Sequence, residues 1–497
     1  MYYKHPALQF TIHPLHRLSF LVSGISVSFF LSSAKLCAQG NIHHQSTTYQ
    51  WPDDPAVKEK LETWRDQKFG ILIHWGLYAV PGIVESWTLC SEDADWIGRD
   101  STIRYDEYKK WYWGLKDDFN PVKFNPEQWA KAAKTAGMKY VVFTTKHHDG
   151  FNMFDTKETD FKITEGPFKN DPRSNVTKYV FDAFRKQQFM IGAYYSKPDW
   201  HSEYFWWPKY ATPDRNVNYD IRQHPWRWNQ FKKFTYNQIN ELMTGYGSID
   251  ILWLDGGWVR PLETVTEEVR AWGAPIPPFS QHIDIPRIAS MARQAQPGLL
   301  IVDRTVHGLY ENYQTPEQSI PKEKSDHPWE SCITLGNAWG YVPNDQFKSG
   351  TKIIHNLIEI VAKGGSLLLG VGPDAKGTLN ETQISRLAEI GDWLKINGNA
   401  IYNTRTADQE RDGETFFTKG KDGSLYALVR LPENQPVPTS VTWTGNVPRK
   451  GTAMKLLSHD TTVKWHSEGN VVTVFLPSGF AKKYSSYPAL AFQYLSH

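Results

Sequence analysis

The stretch Ile249-Asp250-Ile251-Leu252-Trp253-Leu254-Asp255-Gly256-Gly257-Trp258 decides the fold. Ile249 to Leu254 is mostly apolar and is stopped by two glycines, so it reads as a buried strand. Its tip carries a single carboxylate, Asp255, between Trp253 and Trp258. An acid where a barrel strand ends, walled by indole rings, suits attack on a sugar carbon. An Asp that only caps the following turn has the same local signature.

Working outward, short apolar strands alternate with amphipathic helices from about Trp51 to Tyr402. Lys68 to His74 reads as a first strand. Asn125-Pro126 opens a helix as N-cap and first helical residue, with Trp129, Ala132, Ala133 and Ala136 on one face and Gly137 as its stop. Tyr140 to Thr145, Met190 to Ser196, Leu299 to Asp303 and Ser366 to Gly370 are further strands. Ile354, Leu357, Ile358 and Val361 have helical spacing, as do Ile384, Leu387, Ala388, Gly391 and Leu394 before Gly398. Strands alternating with helices imply parallel pairing. Over 51–402 this predicts a (β/α)8-like, TIM-type barrel, with an open doubly wound sheet as the alternative. No glycine-rich phosphate loop follows any of the strands, which counts against the open-sheet nucleotide site. Beyond Asn403 short β-type runs appear, Thr415–Thr418, Leu425–Val429, Ser440–Trp443 and Val471–Phe475, punctuated by Gly, Pro, Asn and Asp. They predict a small antiparallel β-sandwich over 403–497.

The 497 residues suffice for two or three domains. Lys plus Arg number 55 against 53 Asp plus Glu, so there is no electrostatic footprint for nucleic acid or an anionic membrane. The 21 Trp and 24 Tyr fit carbohydrate, whose C–H faces stack on such rings, and equally fit a large aromatic core. Lys4 and Arg17, an apolar stretch from Leu18 to Leu31 and then small residues predict a signal peptide over 1–38, cleaved after Ala38. That implies a secreted or periplasmic address with no membrane span after its removal. Only Cys90 and Cys332 would remain, too few for a disulfide framework. Asn175-Val176-Thr177 and Asn380-Glu381-Thr382 match the glycosylation sequon. Oligomeric state is not legible.

Polar clusters fall at the strand ends, where barrel active sites gather. They are His74-Trp75-Gly76 with Glu85-Ser86-Trp87, then Lys146-His147-His148-Asp149, then Tyr194-Tyr195-Ser196, Asp255 and Asp303-Arg304. Two further acids, Glu317 and Glu330, lie in Thr315-Pro316-Glu317-Gln318 and Trp329-Glu330-Ser331. Adjacent histidines on an extended segment point opposite ways, so a shared metal ion at His147-His148 is disfavoured. No metal or other cofactor is expected. Hydrogen bonding to sugar hydroxyls suits the imidazoles, and Arg304 would supply several donors in fixed geometry. No Gly-x-Ser-x-Gly elbow is present, and neither cysteine has a histidine near it in sequence. A two-carboxylate glycosidase is the sharpest mechanism: one acid attacks the anomeric carbon and a second protonates the departing oxygen.

Taken together these segments resemble glycoside hydrolase family 29, the α-L-fucosidases. The resemblance rests on Phe69-Gly70-Ile71-Leu72-Ile73-His74-Trp75-Gly76, on Ala136-Gly137-Met138-Lys139-Tyr140 with His147-His148-Asp149-Gly150-Phe151, and on Trp253-Leu254-Asp255-Gly256. Val302-Asp303-Arg304 and Gly364-Gly365-Ser366-Leu367-Leu368-Leu369 complete it. It implies a barrel, no metal, and an exo-acting, retaining double displacement on fucosylated oligosaccharides or glycoconjugates, with Asp255 as nucleophile. By the same resemblance His74, His147, His148 and Arg304 would bind fucose hydroxyls, Tyr195 and Trp253 complete the pocket, and Trp87 and Trp339 wall the methyl group. The acid/base shifts between branches of the family. Glu317 matches a branch with a Thr-x-Glu pattern, Glu330 matches another, and Glu317 is favoured; Glu85, near Trp87, would tune either. A fucose-binding protein without catalysis and an enzyme acting on the related α-L-galactosides are the competing readings. The segment Trp272 to Pro278 and the Gly257-Trp258 pair are expected on the leaving-group side, and linkage preference is open.

Overall fold

The computed structural model describes residues 49–90, 99, 102–212, 214–484 and 486–496; the leader expected over 1–38 lies outside them. Seven parallel strands form the first sheet: β1 (Phe69–Ile73), β2 (Tyr140–Lys146), β3 (Met190–Ser196), β4 (Ile251–Asp255), β5 (Leu300–Asp303), β6 (Glu330–Thr334) and β7 (Ser366–Val371). Their order is β5-β4-β3-β2-β1-β7-β6. The helices that precede the second sheet are α1 (Pro55–Gln67), α2 (Tyr105–Gly114), α3 (Pro126–Thr135), α4 (Val176–Lys186), α5 (Pro225–Gly245), α6 (Glu267–Ala271), α7 (Ile285–Ala295), α8 (Gly350–Ala362) and α9 (Glu381–Asn397). Asn125 caps α3 through its side chain and Pro126 occupies the first turn, as its sequence requires. Ile354, Leu357, Ile358 and Val361 are all buried on α8. On α9, by contrast, Ile384 is exposed, and Ile390 and Trp393 join Leu387, Gly391 and Leu394 on the buried face.

The edges β5 and β6 are not strand partners; residues 310–318 fill the gap between them. Asp303 N–H donates to Tyr310 O and Asn312 N–H to Ile301 O, so the chain descends antiparallel to β5. Tyr313 turns it at the barrel floor. Glu330 N–H then donates to Gln314 O, Cys332 N–H to Pro316 O, and Gln318 N–H to Cys332 O, so the chain climbs parallel to β6. This V-shaped stave takes the place of a regular eighth strand. Sequence reading missed β6 because Glu330-Ser331-Cys332-Ile333-Thr334 lacks an apolar run, although all five residues are buried.

Strand alternation sorts the side chains. Ile71, Val141, Ala193, Leu252, Ile301 and Leu369 face the helices, whereas Leu72, Val142, Tyr194, Trp253, Val302 and Leu368 fill the barrel. Gly70 faces Tyr140 on β2; a Cβ there would sit 2.4 Å from the tyrosine ring. Helix α1 closes the floor with Val57, Leu61 and Trp64. The Trp64 ring stacks on Tyr313 at 3.9 Å and meets Tyr140 edge-on.

A second, antiparallel sheet contains β8 (Thr404–Asp412), β9 (Thr415–Gly420), β10 (Leu425–Arg430), β11 (Ser440–Thr444), β12 (Met454–Leu456), β13 (Thr461–Glu468), β14 (Val471–Phe475) and β15 (Ala489–Tyr494). Its order is β11-β14-β13-β12-β15-β10-β9-β8. The long β13 pairs first with β12 and then with β14, passing from one layer into the other. Phe417, Ala427, Leu490 and Phe492 point into the core between the layers around Trp443, while Phe416, Leu428, Ala489 and Ala491 join the core beneath α8 and α9. One period-two pattern thus serves two cores. Among the described residues no helix is long and apolar enough to cross a membrane.

Trp64→Ala removes the floor ring and leaves a cavity. It should cost about 3–5 kcal/mol of stability, read as a lower urea midpoint with unchanged slope.

Candidate active site

The same alternation carries three side chains to the mouth of the barrel. His74 lies two residues past Leu72, Asp255 two past Trp253, and Arg304 two past Val302, so all continue the inward-facing series. Arg304 is buried and links the carboxylates. Its Nη1 donates to Asp255 Oδ1 at 2.7 Å and its Nη2 to Glu317 Oε2 at 2.7 Å. Its Nε donates to Thr315 Oγ1 at 3.1 Å, and its planar head lies over the Trp253 ring at 4.2 Å. Asp255 also accepts from the Tyr194 hydroxyl at 2.7 Å, and His148 Nε2 lies 3.8 Å away. The next residue after Arg304, Thr305, has φ 62°, a strained value for a β-branched side chain. Glu311 accepts from its N–H, and the Arg260 guanidinium donates to its carbonyl oxygen.

The chain leaves β2 after Lys146 and turns at once, so His147 and His148 lie on the same side with ring centres 4.2 Å apart. The opposite-facing arrangement expected of an extended pair does not apply. His74 Nδ1 hydrogen-bonds the Tyr78 hydroxyl at 2.6 Å and His147 Nδ1 the Ser86 hydroxyl at 2.6 Å, leaving Nε2 of each for another partner. Burial pushes the His74 pKa down to about 3 and that of His148 to about 4, and takes His147 well below its ordinary value. All three are neutral at pH 7.

Indoles wall the site around His148. Its ring centre lies 5.2 Å from Trp87, 5.3 Å from Trp200 and 5.0 Å from Trp258. Arg215 covers both Trp87 and Trp258. Trp339 approaches His74 at 6.3 Å and needs Gly370, where a Cβ would lie 2.7 Å from its ring. Glu85 holds that wall: its Oε1 accepts from the backbone N–H groups of Trp339 and Gly340 at 2.9 and 3.0 Å. Glu85 has φ 35° and is buried, and burial raises its pKa to about 7.

Not every residue singled out in the sequence reaches this mouth. Tyr195 faces the helices, where its hydroxyl donates to Gln238 Oε1 at 2.8 Å; its neighbour Tyr194 points inward instead. Glu330 is buried below the mouth, accepting from the Tyr140 hydroxyl at 2.6 Å and from Trp253 Nε1 at 3.2 Å. Burial raises its pKa to about 7. Asp303 faces outward in a buried pair with Lys197 at 2.5 Å. Tyr78, Trp200 and Arg215 were not singled out in the sequence, and Tyr194 and Ser86 stood there only as members of their strand-end clusters, without a role. Only strand parity could have found Tyr194, because Trp253 and Asp255 fix which face of the sheet is inward. The segment Trp272 to Pro278, expected on the leaving-group side, meets the 216 loop through Pro275 O, which accepts from Asn216 Nδ2 at 2.9 Å. Cys90 and Cys332 are both buried.

Paired carboxylates, neutral imidazoles and indole walls at the mouth of a barrel define a glycoside hydrolase. The α-L-fucosidase family model matches residues 36–399, and the chain belongs to that family, glycoside hydrolase family 29. Plasma α-L-fucosidase of Homo sapiens is 27% identical over 453 residues, 87% of this chain and 90% of that protein. The structure of α-L-fucosidase isoenzyme 1 from Paenibacillus thiaminolyticus superposes with TM-score 0.70 at 29% identity, covering 89% of this chain and 100% of the other. A GH29 α-L-fucosidase from Bacteroides thetaiotaomicron, solved as a trapped covalent intermediate with 2-fluoro-fucosyl fluoride, superposes with TM-score 0.67 at 25% identity, covering 91% and 98%.

Three outcomes follow from the parity of the tyrosines and the burial of Glu330. Tyr194→Phe removes a hydrogen bond to a charged group, worth roughly 1.5–3 kcal/mol, so kcat/KM should fall about 10- to 100-fold. Tyr195→Phe should leave kcat/KM within about twofold and instead lower the unfolding midpoint, since it strips a buried amide oxygen of its donor. Glu330, with its pKa raised in the folded state, contributes stability that is fully present below its unfolded pKa of about 4.5 and is lost as pH rises through about 7. The melting-temperature gain of Glu330→Gln over wild type should therefore grow from pH 4.5 to 7 and level off above.

Proposed function

We propose that this enzyme is a retaining, exo-acting α-L-fucosidase in which Asp255 is the nucleophile and Glu317 the general acid/base. The observation that carries the reading is the single Arg304 guanidinium bonded to both carboxylates. Two carboxylates gripped by neighbouring nitrogens of one head fit the separation of about 5–5.5 Å of retaining pairs better than the 6.5–9.5 Å that leaves room for water. The relative trapped as a covalent intermediate supports the same chemistry. Glu330 suits the role less, because both of its oxygens are engaged beneath Trp253.

In the first step Asp255 Oδ attacks the anomeric carbon while Glu317 gives its proton to the glycosidic oxygen. The charge on Asp255 opposes ionisation of Glu317 at this stage. Ester formation removes that charge, and Arg304 then stabilises the Glu317 carboxylate, which takes a proton from the incoming water. Arg304 and Tyr194 keep Asp255 aimed, and neutral His74, His147 and His148 serve as hydrogen-bond partners for the sugar hydroxyls. Trp87 and Trp339 wall the methyl group; an α-L-galactoside would place a hydroxyl against them. An apolar slot discriminates weakly for a methyl, so the polar partners carry most of the selectivity. The barrel over 51–402 is read as the catalytic domain with the β-sandwich of 403–497 beside it. The leader-like N-terminus and a plasma enzyme among the relatives support secretion or a periplasmic address.

On an aryl α-L-fucoside, wild type should release α-L-fucose first by NMR, insensitive to chelator. Asp255→Ala should lose activity by at least about 10³-fold, with azide restoring turnover as the inverted β-fucosyl azide. Glu317→Ala should keep most activity only on substrates with good leaving groups, and azide should give the retained product. First appearance of β-L-fucose from wild type would overturn double displacement, and fucose binding without release from any fucoside would make the chain a lectin.

A further inference from the structure

The outer face of α5 is unlike its inner one. Trp228, Phe231, Phe234 and Ile239 pack inward, whereas Trp226, Asn229 and Lys233 share the opposite side at helical spacing, and the Trp226 indole is 54% exposed. Where α5 lies against the start of α7 the two helices leave a cleft of about 350 Å³, large enough for one or two monosaccharides, lined by Asn229, Lys232, Lys233, Tyr236, Asn237 and Arg287. Asp284 is the one carboxylate in its lining, against three cations. Among the described residues none of these cations has an ion-pair partner within 4 Å. Arg287 instead rests on the Tyr236 ring at 4.7 Å, which holds its guanidinium at the cleft rather than letting it sweep through solvent. Helix α7 begins there at Asp284, whose side chain makes no capping hydrogen bond.

Like charges gathered at one cavity repel, and an anion relieves that repulsion. The remaining groups say what kind of anion. Asn229 offers an amide donor and acceptor, Asn237 already donates to Glu158 Oε1 at 3.0 Å, and the exposed Trp226 indole one turn beyond the cleft, with Arg227 over its ring at 4.8 Å, provides an apolar surface. A bare inorganic ion would use only the cations. We propose that the α5–α7 cleft is a second carbohydrate-binding site, selective for a sulfated saccharide, separate from the barrel mouth. It would hold the enzyme on sulfated glycan while the catalytic site works on fucosyl ends nearby. The cleft shares no residue with the catalytic machinery, so this inference stands or falls independently of the assigned nucleophile.

The test is calorimetric titration of the full chain with a chondroitin sulfate tetrasaccharide, which carries no fucose and so does not report on the barrel mouth. Its desulfated counterpart and sodium sulfate are run in parallel. The sulfated saccharide should bind at least about tenfold tighter than either control, and a Lys232→Ala/Lys233→Ala/Arg287→Ala variant should lose at least about tenfold of that affinity. Aryl-fucoside turnover by the same variant should stay within about twofold of wild type, showing that it is folded. Trp226→Ala should weaken the tetrasaccharide without changing the response to sulfate. Equal binding by the triple variant, sulfate alone binding as tightly as the saccharide, or no binding below about 1 mM would each overturn the assignment.

Discussion

A guanidinium buried at the mouth of the barrel organises the rest of the site. Arg304 is almost wholly removed from water, and an uncompensated charge in that position would cost several kcal/mol. Asp255 and Glu317 compensate it from two sides, Thr315 takes its third direction and Trp253 its face. The dependence is mutual. Two carboxylates gathered at one narrow mouth repel unless a fixed cation lies between them, and a cation on a flexible stem holds such a pair only if its own head is fixed. The Trp253 ring provides that fixture, held from below by Glu330 and flanked by Tyr194. The barrel interior is therefore a stack of mutually oriented rings and acids, with the Arg304 cluster at its top.

The neutrality of the three histidines follows from the same packing. Burial among indoles removes the charged form, so His74, His147 and His148 present hydrogen-bond donors and acceptors whose state is constant across the neutral range. Glu85 and Glu330 are pushed the opposite way, toward the neutral acid. The Arg304–Asp255 ion pair thus sits beside three neutral imidazoles, an arrangement that a polarised transition state can use.

Strand positions were legible in the sequence because apolar runs and glycine stops mark β1 to β5 and β7, and a strand's parity fixes which of its residues face inward. Asp255 and Arg304 could be read for that reason. The pairing of Tyr194 with Asp255 was missed because two adjacent tyrosines look alike until the register with Trp253 is known. Strand β6 was hidden by its polar composition, which suits a strand whose inward residues serve Trp253 and Arg304 rather than an oily core. The turn that brings His147 and His148 to one side also leaves no local signal, since it depends on where β2 ends. In the second sheet β9, β10, β11 and β14 were visible as β-type runs, whereas β8 and β13 are largely polar and solvent-facing.

The V-shaped stave that carries Glu317 has a consequence for how such enzymes diversify. Its bonds to β5 involve only its descending arm and those to β6 only its ascending arm, so the stretch between Arg304 and Tyr310 is free of sheet register. Residues can be gained or lost there at a slowly rising entropic cost, without moving the carboxylate out of reach of the guanidinium. The acid is anchored in space while its distance along the chain from the nucleophile drifts. A lineage of such proteins can therefore reshape this rim of the mouth by indels while a carboxylate stays on the guanidinium, and alignment columns are a poor guide to which acid occupies that place.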